Sequence, residues 1–138
     1  MIELSVGDSA KFSKTISESD VYLYAGITGD LNPAHIDKEY ASGTIFNDRL
    51  CHGMLLAGLI SGVLGTKLPG PGTIYINQTL TFLKPVYIGD TISAVVEITK
   101  IIKGKQAKVS TKCINQLGDI VLDGEALVSL PRDRSLKK

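Results

Sequence analysis

The run Thr28-Gly29-Asp30-Leu31-Asn32-Pro33-Ala34-His35 places a carboxylate and an imidazole five residues apart across a loop stiffened by proline. Cys51-His52-Gly53-Met54 then opens a strongly apolar segment at a glycine. Two titratable side chains able to share one water can act as base and acid in a single reaction. A backbone N–H at a helix start suits a developing oxyanion, and at glycine no side chain obstructs the approach. These residue types at these spacings describe acid–base chemistry beside an oxyanion, with Asp30, His35 and Gly53 as the candidate catalytic groups.

Elements must hold these groups in place. Ser17 followed by Asp20 has the signature of a capped helix start, and Val21, Tyr24, Ala25 and Ile27 follow at helical spacing. This helix is expected to end near Gly29. The Asn32-Pro33 step predicts an extended or turn conformation for the residues after it, and residues 37–41 add one short helical turn. Residues 53–68 are apolar on nearly every face, which predicts a helix enclosed by other elements. Its small residues Gly53, Ala57, Gly58, Ser61, Gly62 and Gly65 recur every three or four positions, so a sheet or a ligand can approach closely.

Residues 11–16 read as a first strand. From Thr73 onward the apolar period is two: Ile74, Ile76, Leu80 and Phe82 form one set, Ile92, Ala94, Val96 and Ile98 a second. Ala107, Val109 and Cys113 form a third, and Leu122, Ala126 and Val128 a fourth. Turns at Gly89-Asp90, Lys103-Gly104-Lys105 and Leu117-Gly118-Asp119 separate them, the last two as hairpins. Helices first and strands after give an α+β class, with a four- or five-stranded antiparallel sheet wrapped round one buried helix. A chain of 138 residues reads as a single domain, 1–138, that buries roughly two thirds of its unfolded surface.

With these residues set out, three stretches resemble the MaoC-like (R)-specific enoyl-CoA hydratases. They are residues 24–37 around the Asp30 loop, His52-Gly53-Met54-Leu55, and Leu80-Thr81-Phe82-Leu83-Lys84-Pro85-Val86-Tyr87-Ile88-Gly89-Asp90. The resemblance covers nearly the whole chain. It implies the hot-dog fold, a sheet wrapped round a long central helix, and a homodimer whose sheets join edge to edge. It also implies that Asp30 and His35 activate one water, which adds reversibly across a trans-2-enoyl-CoA to give the (3R)-3-hydroxyacyl-CoA, while the Gly53 N–H meets the thioester oxygen. No cofactor and no metal are implied. Ser61 matches a serine that the family places at its site, and Asn32 either holds the loop or contacts substrate; these two are the candidate substrate-binding residues. An enzyme alternative is a 3-hydroxyacyl dehydratase acting on acyl carrier protein. A catalytically silent hot-dog module that binds an acyl thioester is the alternative from another class.

Each residue also has a purely structural reading. Asp30 and Asn32 suit Asx turns, His35 suits a satisfied core imidazole, His52 packs or caps at the helix entrance, and Ser61 fits a tight packing point. Gln78 falls among inward-facing positions and needs partners for its amide. His35, Asp37 and His52 are borderline metal ligands, but no third imidazole or cysteine cluster completes a usual zinc set. Cys51 and Cys113 have no paired-ligand spacing and read as reduced structural thiols. Fifteen basic against fourteen acidic residues give no field that argues for nucleic acid or an anionic membrane surface. Arg132, Arg134, Lys137 and Lys138 read as a solvated tail. The most apolar stretch, 54–65, is about a dozen residues, short of the ~20 that cross a bilayer, and no targeting segment precedes it, so a cytoplasmic location is expected.

Overall fold

In the computed structural model, which describes residues 3–132, the first strand β1 spans Ser9–Thr15 and leads directly into helix α1, Glu18–Thr28. Local chemistry fixes both ends of that helix. Ser17 Oγ accepts from the Asp20 N–H at 3.1 Å and Asp20 Oδ2 accepts from the Ser17 N–H at 2.9 Å, a reciprocal capping box. The Ser17 N–H holds the Asp20 carboxyl below the usual range; Lys14, 3.1 Å away, adds to this and partial burial opposes it. At the other end Gly29 takes φ 77°, and its N–H closes on Ala25 O at 2.9 Å. Val21 and Ala25 are buried as the spacing predicts, whereas Ile27 is 81% exposed. The helical stripe is therefore narrower than expected.

Two short helices follow, α2 at Pro33–Ile36 and α3 at Lys38–Ser42. Of the extended or turn conformation expected after Asn32, the structure takes the turn, as the single helical turn α2. The steric restriction falls on Asn32 itself (φ −51°, ψ 124°), and Pro33 then serves as the first residue of a helical turn. Helix α4 spans Gly53–Thr66. Behind it come β2 (Ile74–Gln78), β3 (Thr81–Phe82), β4 (Thr91–Ile102), β5 (Gln106–Ile114) and β6 (Ile120–Ser129). All pairings are antiparallel in the order β1-β4-β5-β6-β2, with β3 also on β6, giving six strands rather than four or five. Lys103 and Gly104, both at positive φ (53° and 66°), are the central residues of the β4–β5 hairpin turn, which the Lys105 N–H closes on Ile102 O at 3.0 Å.

The sheet curls over one side of α4. Ile92, Ala94, Val96 and Ile98, Ala107, Val109 and Cys113, and Leu122, Ala126 and Val128 are all fully buried, as the period-two reading requires. They pack against Leu56, Ile60, Val63 and Leu64 of the helix. Each buried Val, Leu or Ile in this set contributes roughly 1.5–3 kcal/mol, which offsets the ~1 kcal/mol cost of each helical glycine. The expectation that α4 is enclosed on all sides does not hold within one chain: Gly58, Ser61, Gly62 and Gly65 face outward. Nor is the set Ile74, Ile76, Leu80 and Phe82 a buried one. Ile74, Ile76 and Phe82 are 64%, 47% and 50% exposed, because β2 is an edge strand and a bulge between Tyr75 and Asn77 breaks its alternation. Arg132 is exposed, while Arg134, Lys137 and Lys138 lie outside the described residues. Among the described residues no helix is long and apolar enough to cross a membrane.

Candidate active site

Asp30 comes directly after the Gly29 cap, so the end of α1 fixes where its carboxylate starts. Its backbone N–H donates to Thr28 Oγ1 at 3.2 Å, and its Oδ1 accepts from the Asn32 N–H at 3.4 Å. The Asx-turn reading of Asp30 and its reading as a site residue thus coincide. Asn32 Oδ1 accepts from the Ala34 N–H at 3.1 Å and caps α2, the turn that carries His35.

Two backbone carbonyls fix the imidazoles. His35 Nδ1 lies 2.7 Å from Leu50 O, and His52 Nε2 lies 3.0 Å from Asp30 O. A carbonyl only accepts, so each of these nitrogens carries a hydrogen. A neutral His35 therefore presents Nε2 with its lone pair. The two rings stack, with centroids 3.8 Å apart and planes at 27°, and Tyr24 lies tilted against His52 with centroids 4.8 Å apart. His52 is 2% exposed and its Nδ1 has no partner among the described residues. From the sequence, His52 reads as a packing or capping residue at the helix entrance. It occupies the N-cap position, yet its side chain does not cap; it packs, and its packing partner is His35.

Asp30, His35 and Gly53 line one cavity of about 480 Å³, walled by the apolar side chains of Phe46, Met54, Phe82 and Pro85. As first residue of α4, Gly53 has an N–H with no acceptor inside the helix. A Cβ built there would stand 2.6 Å from Cε1 of Phe82, so the bare glycine is what lets that ring close the cavity wall. Cys51 also reaches the cavity, but burial pushes its thiol up to about 12, and the sulfur donates to His52 O at 3.4 Å. It is a neutral thiol, as is Cys113, likewise at about 12.

Ser61 is not brought to this cavity. Eight residues along α4 amount to about 12 Å, and Ser61 opens on a neighbouring groove of about 510 Å³ with Ala57, Tyr75, Gln78 and Leu80; Met54 lines both spaces. Gln78 has protein partners for its amide: Nε2 donates to Thr111 Oγ1 and to Thr79 O, both at 2.8 Å, and Oε1 accepts from Tyr75 Oη. The metal-ligand cluster differs from the one read in the sequence. Asp37 caps α3 through the Tyr40 N–H, while Asp30, His35 and His52 bring ligand atoms within 4.8 Å of one another. Because His35 Nδ1 and His52 Nε2 donate to carbonyls, the Asp30 carboxylate, His35 Nε2 and the buried His52 Nδ1 are the ligand atoms left in that group.

Residues 3–117 match the family described as "MaoC like domain". An (R)-specific enoyl-CoA hydratase of Rhodospirillum rubrum is 50% identical over 129 residues, 94% of this chain and 90% of that protein. One of Aeromonas caviae is 43% identical over 93% of this chain and 96% of its own length. Among solved structures, the unliganded R-hydratase PhaJ1 of Pseudomonas aeruginosa superposes with a TM-score of 0.92 at 43% identity, covering 95% of this chain and 84% of that one. The sheet wrapped over α4 is accordingly the hot-dog fold, and identity at this level along nearly the full length of each relative makes the chain a member of the MaoC-like domain family.

Proposed function

We propose that this protein is a hydro-lyase that reversibly hydrates trans-2-enoyl-CoA to the (3R)-3-hydroxyacyl-CoA. The observation that supports the reading is that Asp30, His35 and Gly53, the first residue of α4, line one largely apolar cavity, with polar atoms of Asp30 and His35 within 4.8 Å of each other. An enoyl chain lies against Phe46, Met54 and Phe82. The thioester oxygen accepts from the Gly53 N–H, where the helix end favours the enolate charge that builds up. Water held between Asp30 and His35 gives up a proton as its oxygen bonds to the β-carbon, and the pair returns a proton to the α-carbon. Water is consumed and no other group is needed to balance the step. Both deliveries come from one face of the enoyl plane, so addition is syn.

The test is loss of the enoyl absorbance of crotonyl-CoA in the presence of EDTA, followed by assay of the product with 3R- and 3S-specific dehydrogenases. A 3R product at an undiminished rate is expected; a 3S product, or abolition by chelator, overturns the assignment. The same assay with crotonyl attached to acyl carrier protein reads out the carrier.

The proposal includes a homodimer. The exposed edge strand β2 with Ile74 and Ile76, and the outward Gly58, Ser61 and Gly62 of α4, support it, since an uncovered apolar edge invites pairing. Light scattering is expected to give twice the chain mass of 14.8 kDa, and an active monomer refutes it. A cytoplasmic location belongs to the same proposal.

A further inference from the structure

We propose that Arg49 is a positioning residue for the hydration, acting through the Leu50 carbonyl on His35; this rests on the catalytic reading of His35. The guanidinium is unusual for a surface loop, since its side chain is only 13% exposed. Its Nη1 donates to Tyr22 Oη at 2.5 Å and its Nη2 to Glu18 Oε2 at 3.1 Å, and the group lies 5.7 Å from the Tyr22 ring centroid. All of these partners are on α1, the helix whose end sets Asp30. Tyr22 Oη in turn donates to Ile36 O at 3.3 Å. One hydroxyl thereby ties both backbone neighbours of the His35 site: Ile36, next to His35 in α2, and Arg49, next to Leu50.

The geometry explains why this matters for chemistry. Leu50 O is the acceptor that keeps the hydrogen on His35 Nδ1, so its position decides whether Nε2 offers a lone pair to the cavity. On the downstream side Leu50 is secured by its N–H to Ala34 O at 3.0 Å, its bridge to Tyr87, and the Cys51 N–H to Val86 O at 2.7 Å. Upstream lies a loop with Asn47 at φ 63° and a further tie from Tyr87 Oη to Phe46 O at 3.1 Å. Arg49 fastens this loop to α1 through Tyr22 and Glu18. Remote groups can act on rate in this way because displacement of a reacting atom by about 1 Å costs up to ~10²-fold.

The experiment is a double-mutant cycle on crotonyl-CoA turnover with Arg49→Met, His35→Gln and the pair, backed by imidazole ¹⁵N spectra. Arg49→Met is expected to lower kcat roughly 10- to 100-fold with KM nearly unchanged, and to mix the His35 tautomers. In the His35→Gln background the same change is expected to cost less than about twofold, because no tautomer remains to be held. Equal fold-losses in both backgrounds, or wild-type kcat in folded Arg49→Met, overturn the proposal. Tyr22→Phe removes only the shared hydroxyl and is judged by the same criteria, so it decides the matter if Arg49→Met does not fold. Full activity in His35→Gln alone would instead overturn the catalytic reading, which keeps the two failures distinct.

Discussion

Replacing Gly53 by proline removes one N–H from the cavity, and the surrounding geometry allows that loss to be measured cleanly. Gly53 is the first residue of α4, where proline is tolerated because the N–H has no helical acceptor. The residue before it, His52, already has φ −62° and ψ 133°, an extended backbone outside the α region that a following proline disfavours. The steric costs are the proline Cδ, which takes the place of the amide hydrogen, and the new Cβ, which would stand 2.6 and 2.8 Å from Cε1 and Cδ1 of Phe82. Ordinary carbon contacts are roughly 3.5–4.0 Å, so the ring must retreat by about 1 Å. Phe82 is 50% exposed on a two-residue strand and can do so, at about 1 kcal/mol, the low end for overpacking. That corresponds to a fall in Tm of roughly 3–5 °C for a chain of this size.

Gly53→Ala adds the same Cβ and keeps the N–H, which makes it the matched control. The two variants are expected to melt within a few degrees of each other, whereas proline should lower kcat a further 10²–10³-fold or so below alanine, the usual worth of one oxyanion donor. Stopped-flow or steady-state hydration of crotonyl-CoA, with melting curves on the same preparations, provides both numbers. If folded Gly53→Pro turns over at the rate of Gly53→Ala, the N–H does not serve the oxyanion, and Gly53 is there for Phe82 alone.

Asp30→Asn and His35→Gln are each expected to reduce kcat by roughly 10²–10⁴ while leaving the melting curve close to wild type; wild-type turnover in either folded variant contradicts the mechanism. Gly124→Ala is expected to destabilise severely, by about 3 kcal/mol or more, because its Cβ would fall 2.0 Å from the backbone oxygen of Thr79 where the chain crosses β6; an unchanged Tm would contradict the packing. Asp20, whose carboxyl is held below 3.8, stabilises the charged folded form at higher pH and loses that contribution as pH falls through its lowered value. Asp20→Asn should therefore cost about 1 kcal/mol, some 3–5 °C, at pH 5 and above, and the gap in Tm should close below pH 3.8; a gap that persists at pH 2 would show that charge is not its source.

What the sequence disclosed and what it withheld divide along the range of the interactions. The Ser17-Asp20 box, the Gly29 cap and the Lys103-Gly104 hairpin act over a few residues and were readable as spelled. The buried faces of β4, β5 and β6 came through in the period-two pattern because each strand has neighbours on both sides. The same logic failed for β2, since an apolar alternation does not say whether anything covers it, and for α4, whose glycine-rich face looks identical whether or not a neighbour is present. The stack of His35 on His52 spans 17 positions of sequence and had no local signature. Most opaque were the two groups that orient the imidazoles, the carbonyls of Leu50 and Asp30, because every residue type has a carbonyl. Their positions are encoded indirectly, by whatever holds that backbone still: the Gly29 cap for Asp30, and for Leu50 its N–H to Ala34 O and its bridge to Tyr87, with the Arg49 and Tyr22 contacts beside them. A change of the Leu50 side chain is expected to leave its carbonyl's hydrogen bond to His35 in place, whereas a change at Arg49, which does not line the cavity, is expected to move the atom on which the His35 tautomer depends.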